Sequence, residues 1–219
     1  MMHRLASARA GVTPADMAFI ESVLAAEGDR GPLAHLWTDP ESVTAILDLQ
    51  EIHRALLESA VALPVSPSLY FYVLVRHAFL DGGIDQPDLA DYVAGVLVEK
   101  LDTRPDRRPG AMPAWITHAV DFHSVIQSSH GMLRFHLEVA AGDQFLVLTG
   151  LFPEFLEHRA GRHGAPDTRF YESFARQSYR SASNRSGIGP DTRELLGLLA
   201  ETFPLARRAL HRMSDRCLF

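Results

Sequence analysis

One stretch of the chain constrains its fold more than any other. Ser66-Pro67-Ser68 opens a helix and Asp81-Gly82-Gly83 closes it, and between them lies LYFYVLVRHAFL, Leu69 to Leu80. Wound as a helix, this segment puts Leu69, Tyr72, Val73 and Leu80 on one face, and Leu74, Val75, Ala78 and Phe79 cover much of the remainder. A surface helix keeps a polar stripe for water, whereas one that is apolar nearly all round must be buried on more than one side. Arg76 and His77 sit inside this segment. A guanidinium cannot shed its charge, because its pKa lies above ~12, so a buried Arg76 needs a carboxylate partner. Glu154, Asp121 and Glu172 are the candidate acids, with the hydroxyls of Tyr72, Tyr171 and Tyr179 as further partners. Tyr171 and Tyr179 are eight residues apart, so both rings fall on one helix face. Tyr72, Arg76, His77, Asp121, Glu154, Tyr171 and Tyr179 thus form a candidate ligand site, in which Arg76 would hold an anionic group. The plainer alternative is a structural Arg–carboxylate clamp.

Signals elsewhere are also helical. Thr13-Pro14 with Asp16 reads as a helix start, followed by Met17, Ile20, Val23 and Leu24, with Gly28 as the stop. Asp39-Pro40-Glu41 starts a second helix, and Val43, Ile46, Leu47, Leu56, Leu57 and Ala60 extend it as one long element up to Pro64. Gln86-Pro87-Asp88 opens a further helix whose stripe is Leu89, Tyr92, Val93, Val96, Leu97 and Leu101. Residues 102–113 are polar and rich in proline, a loop or subdomain break, with a helix from Ala114 to about Ile126 beyond it. Asp167 caps a helix carrying Phe170, Tyr171, Phe174, Ala175, Tyr179 and Ala182. Asp191 with Glu194 opens the last helix, which Pro204 should break at a cost of about 3 kcal/mol.

Residues 130–152 admit two periods. Leu133, Phe135, Leu137 and Val139 alternate with polar residues, as in a strand, and Ala141-Gly142-Asp143 could turn a hairpin. The helical alternative aligns Leu133, Leu137, Ala140, Ala141, Leu148 and Leu151. Helix is the expectation, because the neighbours are helical and a lone hairpin is only marginally stable.

The totals exclude several classes. Hydrophobic residues make up 47% and charged residues 22%, so the chain has a core to bury and does not read as disordered. The single cysteine, Cys217, rules out an internal disulfide and fits a reducing compartment. Met1 to Ala10 has no apolar core of a signal peptide, and no apolar run approaches the ~20 residues that span a bilayer. The expectation is a cytoplasmic protein without membrane insertion. Residues 158–219 carry a net +5 and residues 1–157 a net −11. The overall charge of −6 argues against nucleic acid as a partner.

No reaction is written in the motifs. HExxH, the ExxH pair of di-iron bundles, GxSxG and CxxC are all missing from the eleven-histidine chain. The pairs His118/Asp121, Glu154/His158 and His77/Asp81 share helix faces, as loose i,i+3 and i,i+4 spacings do by chance. No metal or cofactor is therefore expected, and Cys217 reads as a packed residue rather than a nucleophile.

The strings SPSLYFYVLVRHAFL, LTGLFPEF, HGAPDTRFYES and MSDRCLF, spread over residues 66–219, resemble those of an uncharacterised bacterial family of all-helical hypothetical proteins. The resemblance implies a helical 130–152 and a bacterial, cytoplasmic source. It carries no activity, cofactor or catalytic residue. The combined reading is a single all-α, bundle-like domain of eight or nine helices over 1–219. The leading function is an interaction, assembly or regulatory protein, with a protein partner or a homodimer. The alternatives are a small anionic ligand bound around Arg76 and His77, and a metal- or oxygen-dependent helical enzyme.

Overall fold

The computed structural model describes residues 5–26, 37–58, 65–101, 119–163 and 166–217. The stretches 102–113 and Ala114 to 118, expected as loop and helix start, lie outside the described residues, as do Gly28 and residues 59–64. Among the described residues there are ten α-helices, short 3-10 stretches (Arg9–Gly11 and residues 37–38) and no strand. The all-α expectation holds. The helices are α1 (Pro14–Ala26), α2 (Pro40–Leu47), α3 (Gln50–Glu58), α4 (Pro67–Asp81), α5 (Pro87–Leu101), α6 (Ala119–Ser128), α7 (Gly131–Leu151), α8 (Pro153–His163), α9 (Thr168–Ser183) and α10 (Pro190–Cys217). The chain forms two compact units, Met1–Glu99 with Arg216–Phe219, and Lys100–Asp215.

In the first unit α4 is buried on more than one side, as is α5 over residues 89–97. Leu69, Tyr72, Val73, Leu74, Val75 and Phe79 are all at most 1% exposed. Ser66 caps α4, its hydroxyl accepting from the Leu69 amide at 3.1 Å. Asp16 ties this cap to the start of α1. Its carboxylate accepts from the Thr13 amide (2.7 Å) and hydroxyl (2.8 Å), and from the Ser66 amide (2.6 Å) and hydroxyl (2.7 Å). Burial raises the Asp16 pKa, but these donors outweigh it and hold the carboxyl below its ordinary range. The segment before α1 lies along α5: Ser7 donates to Asp91 at 2.8 Å and the Arg9 amide at 2.6 Å. Gly95 permits this approach, since a Cβ there would stand 2.6 Å from the Ser7 nitrogen.

The long helix expected from Val43 to Ala60 is instead two. It breaks at Asp48-Leu49, between α2 and α3. Asp48 is the α2 C-cap. A carboxylate is disfavoured at a helix C-terminus, where the dipole is negative, and this one is drawn outward by an arginine.

In the second unit α7 occupies the core, with residues 137–139 and 144–151 buried. The helical reading of 130–152 is the one observed, though Leu133 points outward at 60% exposure. Helix α9 runs antiparallel to α7. Phe145 stacks on Tyr171 at 5.1 Å, Gly142 lies under the Tyr179 ring, and Glu138 reaches Ser181 and Arg185. A Cβ at Gly142 would come within 2.5 Å of that ring. Pro153 turns the chain by 91° between α7 and α8. Pro204 does not break α10, which continues to Cys217. A proline at 204 removes the amide that would bond the Ala200 carbonyl, and the Arg176 Nε donates to that carbonyl instead, at 3.2 Å. No single helix among the described residues is long and apolar enough to cross a membrane.

Candidate functional site

Arg76 is 3% exposed and paired with carboxylates, as its place in an apolar helix requires. The partners are Asp48 and Asp85, not the Glu154 or Asp121 expected. Asp48 is met bidentately, Nε to Oδ1 at 2.8 Å and Nη2 to Oδ2 at 2.7 Å, and Nη2 also reaches Asp85 Oδ1 at 2.7 Å. Burial works against the cation, but the two carboxylates raise its pKa further above the ordinary arginine value. Two interruptions of the helices deliver these acids. The α2–α3 break presents Asp48, and the turn after α4, with Gly83 at φ 79°, folds Asp85 back toward the helix it follows.

The clamp is incomplete. Arg76 Nη1 is buried without a hydrogen-bond partner, and so are Tyr72 Oη and His77 Nε2. Tyr72 is 0% exposed and His77 3%. Gln50 Nε2 lies 3.4 Å from His77 Nδ1, and the His77 ring also donates to the Leu47 backbone. The imidazole stacks flat on His53, with centroids 4.1 Å apart. Burial first, and His53 second, depress the His77 pKa to about 4, so the ring is neutral near pH 7. Burial likewise lifts the Tyr72 phenol to about 12, against the lowering pull of Arg9 and Arg76. Arg9 stands over the Tyr72 ring at 5.6 Å, and is itself held by Thr44, Asp88 and Asp91.

The charge of Asp48 acts on Tyr72, Arg76 and His77 alike. The result is three side chains from one stretch of α4, each with one unmatched polar atom, around a common aspartate. An unsatisfied buried polar group costs about 1–3 kcal/mol. All three lie within six residues of α4.

Tyr72, Arg76 and His77 are thus brought together. Those of the other candidates whose side chains are described have partners within the second unit. Tyr171 stacks on Phe145. The Tyr179 hydroxyl donates to Asp143 at 2.8 Å. Glu154 lies in the first turn of α8, 74% exposed and 3.9 Å from His211. Asp121 belongs to α6, with its side chain outside the described residues, and Glu172 binds Arg207 at 3.0 Å.

Reading the sequence missed Asp48, Asp85, His53, Gln50 and Arg9. It also missed Glu138, which holds an ion-pair cluster in the second unit. Glu138 is 2% exposed and accepts from Arg185 (2.6 and 2.7 Å), Ser181 (2.8 Å) and Arg134 (3.1 Å). Both its oxygens are engaged, so it is a structural clamp. The Cys217 thiol is pushed up by burial, which Arg216 only partly offsets, and that is the reverse of what a nucleophile needs. No protein-family model, no curated protein and no solved structure matches this chain.

Proposed function

We propose that the first unit binds a small polar molecule through the buried donors of α4. The observation that carries this is the trio of unmatched atoms, Tyr72 Oη, Arg76 Nη1 and His77 Nε2. Arg76 Nη1 and the Tyr72 hydroxyl can donate to an oxygen, with His77 Nε2 beside them, so the ligand offers carbonyl, hydroxyl or carboxyl acceptors. The surroundings favour a molecule without net negative charge. Asp48, Asp85, Asp88 and Asp91 outnumber Arg9 and Arg76, and His77 is neutral, so a free anion would meet repulsion. The anionic group expected around Arg76 is accordingly narrowed to an oxygen-bearing neutral or zwitterionic one.

The test is a thermal-shift and ligand-observed NMR screen of polar metabolites against the wild type and Tyr72→Phe. A molecule that stabilises the wild type and loses at least tenfold in affinity to Tyr72→Phe supports the reading. If no molecule shifts the wild type and a crystal structure fills the three positions with water alone, the reading fails.

A second reading, an interaction or assembly protein that forms a homodimer or holds a protein partner, draws on exposed apolar side chains. Leu133, Phe155, Met132 and Phe170 of the second unit are 43–60% exposed. Light scattering at micromolar concentration distinguishes a dimer from a 24.3 kDa monomer.

A further inference from the structure

The second unit holds a polar cluster that neither the α4 site nor the Glu138 clamp uses. Glu154 comes from the first turn of α8, and His211 and Asp215 are one turn apart on α10. His211 Nε2 lies 3.9 Å from Glu154 Oε1, and Nδ1 lies 3.7 Å from Asp215 Oδ1. One ligand atom from each residue falls within 4.8 Å of the other two.

We propose that Glu154, His211 and Asp215 form a site for a divalent first-row transition-metal ion, with zinc as the natural probe. Three observations converge. The separations are too long for hydrogen bonds, whose N–H···O distance rarely exceeds about 3.2 Å. An ion takes one ring nitrogen, and one such nitrogen with one oxygen from each carboxylate lie within 4.8 Å of one another, against about 3.4 Å for two ligands on a tetrahedral ion with bond lengths near 2.05 Å. The exposed carboxylates need only small rotations to close that gap. The second observation is that His211 Nδ1 is buried with no hydrogen-bond partner, so no protein group accounts for what this ring bonds to. The third is the register. A His and an Asp four apart point the same way from a helix, and the third donor comes from a different helix, which gives a facial set rather than a line.

The donor set selects the ion class. Magnesium and calcium take oxygen ligands and leave imidazole aside, whereas one imidazole with two carboxylates suits zinc, manganese or ferrous iron. Three protein ligands leave a fourth position open to water or to a ligand atom. All three side chains are at least one-third exposed, so their replacement leaves the core untouched.

The experiment titrates zinc into the untagged full chain, freed of metal beforehand, in competition with a chromogenic chelator. Cobalt is added separately to read its ligand-field spectrum. The expected result is one zinc per chain and a cobalt spectrum of tetrahedral or five-coordinate intensity. Binding should fall at least tenfold in His211→Ala and in Asp215→Asn, with the circular dichroism of each variant unchanged. Glu154→Gln should fall similarly. Absence of saturable zinc binding, or equal binding by the wild type and His211→Ala, overturns the proposal. Should a variant lose helicity, the cobalt spectrum of the wild type alone decides, since a spectrum of free aqueous cobalt overturns the site as well.

Discussion

The Arg176 Nε donates to the carbonyl of Ala200, the one carbonyl in α10 that Pro204 deprives of its helical partner. Two sequence features, an interior proline at 204 and the arginine at 176, therefore act as one. Removing Arg176 should leave a poorly solvated carbonyl and cost about 1–2 kcal/mol. Pro204→Ala restores the amide and should make Arg176 nearly dispensable. A four-member double-mutant cycle in urea, with Arg176→Met and Pro204→Ala, checks this. Equal Arg176→Met penalties in both backgrounds would show that the two residues are independent.

The Arg76 clamp should be sensitive to which acid is lost. Asp48 is mostly buried and bidentate, whereas the Asp85 side chain is 80% exposed. Asp48→Asn should destabilise by roughly 3 kcal/mol, in the range for breaking a buried pair, and Asp85→Asn by under ~1 kcal/mol, as for a surface pair. Arg76→Leu, which strands Asp48, should cost about 3–5 kcal/mol. Chemical denaturation of the three variants gives the order directly.

His77 predicts a pH dependence. Its folded pKa of about 4 lies below the value near 6.5 of an unfolded chain. The unfolded state therefore binds more protons between these values, and stability falls as the solution is acidified across that window. The full contribution is present above about pH 6.5, and its loss by pH 4 is on the order of 3 kcal/mol. His77→Gln should flatten this part of the profile, which urea midpoints at half-unit pH steps will show.

Glu138 predicts a second, more acidic transition. Burial raises its pKa, but Arg185, Ser181 and Arg134 together bring it below the ordinary glutamate value. Its contribution is present above the unfolded value, about 4.3, and is lost as pH falls through the lower folded one. Glu138→Gln should remove that acid limb and cost about 3 kcal/mol at neutral pH, because Arg185 and Arg134 lose their shared acceptor. An acid titration followed by near-ultraviolet dichroism separates this limb from the His77 window.

Much of this was legible from residues alone, and what was not shares one cause. The burial of α4 and the pairing of Arg76 followed from an apolar circumference and a charge that cannot be shed. The identity of the acids did not, because it depends on where the helices are interrupted. A continuous stripe from Val43 to Ala60 hides the break that turns Asp48 toward Arg76. Asp85 follows a Gly83 turn whose direction no periodicity encodes. Pro204 was misread for the same reason, since the group that compensates for it lies on another helix. Local propensity is written locally, and the partners of polar groups are not.

The carboxylate of Asp16 closes the first turns of α1 and α4, although Thr13 and Ser66 are far apart in sequence. Neither helix can fray at its start without releasing a donor of the other. The amide protons of Thr13 and Ser66 should therefore exchange with deuterium at one common opening free energy, rather than at the separate rates of two independent helix ends. Asp16→Ala should release both amides together, so a single carboxylate sets the size of the smallest unit in which this part of the chain can open.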